Sequence, residues 1–174
     1  MSGINYHNLA ARPYYLPSIK CIFISHQKQD SSAAKMIADY LIAAGVNVYF
    51  DEYDNTLDLT NPASVVAGIK DGLNHSTHLL VLLSQNALQS MWIPWEVGYA
   101  YDSKTIISLT LKEISSYELP EYLQITRIIR GTNSLNELIS EILNNSQFTL
   151  TYETKVFDAS RPNHPLDSIL TWNK

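Results

Sequence analysis

Short, nearly continuous apolar runs recur along this chain, separated by stretches whose apolar residues are spaced for a helix. The runs are Lys20 to Ser25, Val46 to Phe50, His78 to Ser84, Thr105 to Leu111 and, shorter, Ile125 to Ile129. Runs of this length and apolarity read as strands buried on both faces, as in a parallel sheet. After the first run, Asp30 or Ser31 can cap a helix. Ala34, Ile37, Ala38, Leu41 and Ala44 then recur at helical spacing, and Gly45 ends the helix. Asn61-Pro62 is a helix start, followed by Val65, Val66, Ile69 and Leu73 on one face. Pro94 marks the first turn of a third helix. A capping box, Ser134-x-x-Glu137, opens a fourth with Leu135, Leu138, Ile139, Ile142 and Leu143 on its apolar face. Strand and helix alternate, so the pattern predicts an α/β fold with helices on both faces of a parallel sheet. The simplest topology is flavodoxin-like, five strands in the order 2-1-3-4-5.

The flanks do not share this alternation. Residues 1–18 carry Pro13 and Pro17 among Tyr6, Tyr14 and Tyr15 and read as a lead-in arm. Lys112 to Tyr122 reads as a loop punctuated by Pro120. In the tail, Phe148, Leu150 and Tyr152 alternate with Thr149, Thr151 and Glu153, which predicts an extended segment; Pro162 and Pro165 interrupt the chain after it. Trp172 implies that the tail docks on its own domain or on a neighbour. The expected division is an arm, 1–18, a domain, 19–145, and an extension, 146–174.

Charge and cysteine content narrow the classes. The net charge of −5 argues against non-specific nucleic-acid binding, which needs a basic face. No apolar run approaches a membrane span, and the N-terminus lacks the basic-then-apolar pattern of a signal peptide. The single cysteine, Cys21, lies inside an apolar run, where it reads as a small buried hydrophobe. No disulfide or zinc framework can form within one chain, and a reduced, cytoplasmic setting is expected.

Candidate chemistry concentrates in Ser90 to Ala100, between the third and fourth runs. Trp92, Trp95 and Glu96 fall there, at the sheet edge where open α/β folds bind ligands. The acid can serve as a catalytic carboxylate beside a stacking platform, or it can simply favour a helix N-terminus. Other chemistries are missing: there is no Gly-x-Gly-x-x-Gly, no Walker loop and no Gly-x-Ser-x-Gly elbow. His7, His26, His75, His78 and His164 show no metal-ligand spacing, and His75 and His78 read as surface or turn residues. The acidic stretch with Asp51, Glu52, Asp54 and Asp58 lacks the glycine and ligand spacing of a calcium loop and reads as a solvated face.

Four pieces in order carry a resemblance: Phe23-Ile24-Ser25, Val48-Tyr49-Phe50-Asp51, Leu80 to Ser84, and Ser90-x-Trp92-x-x-x-Glu96. Together, over residues 19 to 145, they resemble a TIR (Toll/interleukin-1 receptor) domain, closest to the NAD-consuming branch and its stand-alone bacterial antiphage, Thoeris-like members. The resemblance implies a catalytic Glu96, with Ser25, His26, Gln27, Lys28, Asp51, Ser90 and Trp92 bordering the substrate. NAD is then a substrate, with no separate cofactor and no metal. It also implies self-association through TIR surfaces, gating by the loop Glu52 to Asn61, and a soluble ADP-ribose signal to a separate effector. No nucleic-acid or membrane partner is expected. Two departures stand out: the Glu52 to Asn61 loop has no glycine, where many TIR domains carry one, and Gln27 and Lys28 stand where the animal axon-degeneration enzyme of the same branch carries arginines.

The chemistry is compatible. Breaking the nicotinamide–ribose bond passes through an oxocarbenium-like state that one carboxylate can stabilise. Nicotinamide leaves neutral from a pyridinium, so no general acid is required. Trp92, one helical turn from Glu96, can stack on a base or the pyridinium, or be an indole at the core edge. Two alternatives stay open. Glu96-x-Gly98-x-Ala100 with Lys104 resembles nucleoside 2-deoxyribosyltransferases, and a TIR-type scaffold could assemble without catalysis. A phospho-receiver is disfavoured, because the first strand ends in Ser25-His26 and not in an acidic pair.

Overall fold

All five apolar runs become strands of one parallel sheet. In the computed structural model, which describes residues 2–8, 19–50, 61–112, 114, 119–144 and 164–172, they are β1 (Cys21–Ser25), β2 (Asn47–Tyr49), β3 (His78–Leu83), β4 (Thr105–Thr110) and β5 (Arg127–Arg130). The sheet order is β2-β1-β3-β4-β5, as the alternation predicts. Helices α1 (Ser31–Ala43), α2 (Pro62–Asn74), α3 (Trp92–Ala100) and α4 (Glu121–Gln124) make the crossovers, and α5 (Gly131–Ile142) follows the last strand.

Side-chain alternation along the strands divides the core in two. Ile22 and Ile24 of β1, Leu80 and Leu82 of β3, and Ile107 and Leu109 of β4 face α1 and α5. Cys21, Phe23, Leu79, Val81 and Leu83 face the opposite layer, with Leu73 of α2, Ile93 and Val97 of α3, and Leu123 of α4. Both faces of the central strands are therefore dry, which is why their sequences run apolar without a polar period. Cys21 is fully buried, and burial pushes its thiol up to about 12.

Local signals set several boundaries. Asn61 caps α2 by accepting from Ala63 N at 3.0 Å, with Pro62 at the first helical position. Gly45, at φ 98°, closes α1: its N–H reaches Ile42 O and the Val46 N–H reaches Leu41 O, the paired bonds of a Schellman turn.

Four expectations are corrected. The fifth strand starts at Arg127, not Ile125, because Ile125 lies in the turn after α4 and is 65% exposed. The loop expected through Tyr122 gives way to the short helix α4 from Glu121. The last helix opens at Gly131, three residues before the capping box, so Ser134 lies inside it and caps nothing at its start. Its early N–H groups find partners far along the chain: Thr132 N donates to Thr171 O at 2.8 Å and Asn133 N to Trp172 O at 3.2 Å. Finally, His78 is neither a surface nor a turn residue. It is the first residue of β3 and half-buried, its Nδ1 2.7 Å from Thr77 Oγ1.

The flanks are tied to the domain. Gly3 N donates to Ile42 O and Val48 N to Ile4 O, and Asn5 bridges Val48 in parallel, so residues 2–8 lie along the outer edge of β2. Residues 164–172 dock on this chain's own α1–α5 layer: Leu166 and Leu170 are buried there, and His164 packs between the rings of Tyr40 and Trp172. The expected extended segment around Phe148 to Glu153 lies outside the described residues, as do residues 9–18.

Candidate functional site

In the register of the sheet, β1 ends two residues short of the ends of β3 and β4. Ser25, the last residue of β1, pairs with Val81 of β3, and Val81 with Ser108 of β4. Beyond these ends lie the loops that lead into α1 and α3. Ser25 follows Cys21 and Phe23 on the strand face that meets α2 and α3, and its side chain is buried.

Helix α3 presents one stripe to that face: Ile93, Glu96, Val97 and Ala100 are all buried. Three are apolar and the fourth is a carboxylic acid, 7% exposed. Glu96 therefore does not sit in the helix's first turn, where the macrodipole alone would account for it. A carboxylate on a core-facing stripe is costly unless it is hydrogen-bonded. Ser25 supplies a bond: its Oγ donates to Glu96 Oε2 across 71 positions of sequence.

The other expected site residues distribute around this pair. His26 follows Ser25 directly; it is half-buried, and its ring lies 5.3 Å from that of Phe50 at the end of the β2 run. Gln27 is extended and half-buried, and Lys28, exposed, begins a single 3-10 turn through Asp30. Trp92 is 40% exposed, one turn before Glu96. Ser90 is buried and works on the helix itself, its Oγ accepting from Trp92 N and Ile93 N at 3.2 Å each. Asp51 lies outside the described residues. Trp95, directly before Glu96 in α3, is half-buried. It stacks on Tyr99 at 5.4 Å and meets Trp92 edge-on at 6.2 Å, forming an aromatic ladder along the helix.

A second polar connection has no counterpart among the sequence expectations. Asp30 occupies the residue before α1 but makes no side-chain cap bond there. Its carboxylate instead accepts from Ser84 Oγ and from Asn86 Nδ2, while Ser84 Oγ accepts from Ala87 N at 2.9 Å. The loop after β1 is thus fastened to the loop after β3, which leads to Ser90 and α3. The available signal is the pair of serines, Ser25 and Ser84, each closing an otherwise apolar run. Among the described residues, no group of three His, Cys, Asp or Glu could hold a metal ion. No helix among them is long and apolar enough to cross a membrane.

The arrangement offers a buried, oriented carboxylate at the carboxyl end of the central strands, with an exposed indole one turn away. That chemistry suits stabilising a positive charge on a ribosyl carbon. Comparison with known proteins points the same way. The family model described as TIR domain matches residues 22–141. The chain is 30% identical over 139 residues to the "Probable 3' cyclic ADP-D-ribose synthase ThsB'" of Bacillus cereus, covering 76% of this chain and 72% of that protein. It is 30% identical over 106 residues to the NAD(+) hydrolase TcpC of Escherichia coli, covering 58% of this chain but 33% of that protein. Among solved structures, a metazoan TIR-STING receptor from C. gigas superposes with a TM-score of 0.52 at 22% identity, over 71% of this chain and 38% of that one, a likeness of fold.

Proposed function

The chain belongs to the TIR domain family, and on that premise we propose that it is an NAD+ nucleosidase and ADP-ribosyl cyclase with Glu96 as its catalytic carboxylate. The observation that carries this reading is the burial of the Glu96 carboxylate, held by Ser25, at the carboxyl end of β1. The names of the Bacillus and E. coli relatives, a cyclic ADP-ribose synthase and an NAD+ hydrolase, support the same reaction class.

The reaction breaks the bond between the ribose carbon and the pyridinium nitrogen. The bonding pair leaves with nicotinamide, which becomes neutral, and positive charge develops on the sugar. The negative carboxylate of Glu96 stabilises that charge at the moment it forms. Trp92 stacks on an aromatic ring of the dinucleotide, and His26, Gln27 and Lys28 line the side of the site that follows β1. Water completing the reaction gives ADP-ribose; a nucleophile of the same molecule closes a cyclic product. Copies of the chain associate through TIR surfaces in the cytoplasm, and the soluble product carries an antiphage signal to a separate effector.

The test is incubation of the concentrated full chain with NAD+, and separately with deoxyadenosine plus a free base, with products identified by mass spectrometry. Glu96→Gln keeps size and hydrogen-bonding capacity but removes the charge. It should lower NAD+ consumption on the order of 10²-fold or more, about 3 kcal/mol of transition-state stabilisation. A folded variant that consumes NAD+ at the wild-type rate would overturn the role of Glu96. Base exchange on deoxyadenosine with NAD+ left intact would favour the deoxyribosyltransferase alternative.

A further inference from the structure

We propose that Ser25 is a positioning residue that acts through Glu96 and does not itself contact the substrate. The inference rests on the reading of Glu96 as the catalytic carboxylate and assigns a group that holds it.

Three observations converge. Ser25 is 2% exposed, so almost none of it is open to a bound dinucleotide, whereas Glu96 keeps 7%. Its single donor is committed to Glu96 Oε2. The face around that bond is apolar: Phe23, Val81 and Leu83 come from the strands, and Ile93, Val97 and Ala100 from α3.

A glutamate's terminal torsion is broad and roughly two-fold, so the helix alone does not fix the plane of the carboxylate. A bond from a rigid central strand does. β1 is paired to β2 through Phe23 and to β3 through Ser25 itself, which holds its last residue to the sheet at Val81. Ser25 thereby sets which way the acid faces, and it offsets part of the cost of keeping a charge on an apolar stripe. A substrate contact would lower KM. A positioning bond changes kcat, because its effect reaches the reaction through the orientation of the charge.

The experiment is a double-substitution cycle with Ser25→Ala and Glu96→Ala in the full chain, read in two ways. By steady-state NAD+ turnover, Ser25→Ala should lower kcat about 10- to 100-fold, the range expected for a lost bond to a charged group, with KM held within about twofold. In the Glu96→Ala background the same change should cost nothing further. By melting temperature, Ser25→Ala should lower the midpoint in the presence of Glu96 and lower it distinctly less in its absence. A raised KM with unchanged kcat, independent losses that multiply, or additive melting shifts would each overturn the proposal. If wild type leaves NAD+ intact, the proposed reaction fails, and the melting cycle still decides whether Ser25 holds Glu96.

Discussion

The carboxylate of Asp30 accepts the hydroxyl of Ser84, 54 residues further along the chain, and takes a second bond from Asn86 Nδ2 at 2.8 Å. These bonds fix the loop after β1 against the loop that leads to α3. Asp30→Ala removes both at once. It should cost about 1–3 kcal/mol in urea unfolding and lower NAD+ turnover severalfold, since His26 to Lys28 lose their anchor. Wild-type turnover in this variant would show that the loop is held by other contacts.

Acid stability should carry the signature of His78. Burial, and then the charge of Lys20, hold its imidazole down to about 4, against an ordinary 6.5 in the unfolded chain. Between those values the unfolded chain binds more protons, so stability falls as pH drops from about 6.5 to about 4 and is unaffected by this group above that window. His78→Gln should flatten that part of the curve in thermal melts taken across the range. An unchanged slope would assign the loss to other groups.

Cys21 should be chemically silent in the native protein. It is fully buried beside Ser76, its Sγ 3.8 Å from Ser76 Oγ, and its thiol is raised to about 12, so the reactive thiolate is scarce. A thiol-specific chromogenic reagent should label it at the rate of opening of the fold, and promptly in denaturant. Rapid native labelling would contradict the packing around β1.

The docked segment should contribute to stability as core, not as surface. Leu170, at 1% exposure, packs in the α1–α5 layer with Leu166. Leu170→Ala should cost about 2–5 kcal/mol, the range for a buried leucine. An effect under about 0.5 kcal/mol in chemical denaturation would mean that the segment leaves this face readily.

Legibility in the residues depends on how local each signal is. The strand runs can be read because burial on both faces leaves no polar period, and the cap at Asn61 and the stop at Gly45 act within a few residues. The features that escape the sequence are non-local. The start of α5 at Gly131 depends on carbonyls at Thr171 and Trp172 that no local pattern announces. Glu96 is legible as a candidate from its spacing after β3, but its burial beside Ser25 requires the β1–β3 register. Asp30 has the composition of a helix cap, and only the folded chain shows its carboxylate spent on Ser84 instead.

The bridge from Asn5 to Val48 has a consequence for crowding. An edge strand with open N–H and C=O groups invites strands from other molecules. On the β2 side those groups are already engaged: Val48 N gives to Ile4 O, and Asn5 pairs with both the N–H and C=O of Phe50. The opposite edge is β5, four residues long with an arginine at each end. Its short length makes that edge a poor template for a second copy, and one of its arginines, Arg127, is paired with Glu141. Among the described residues, β2 and β5 are thus poor templates for polymerisation at high local concentration.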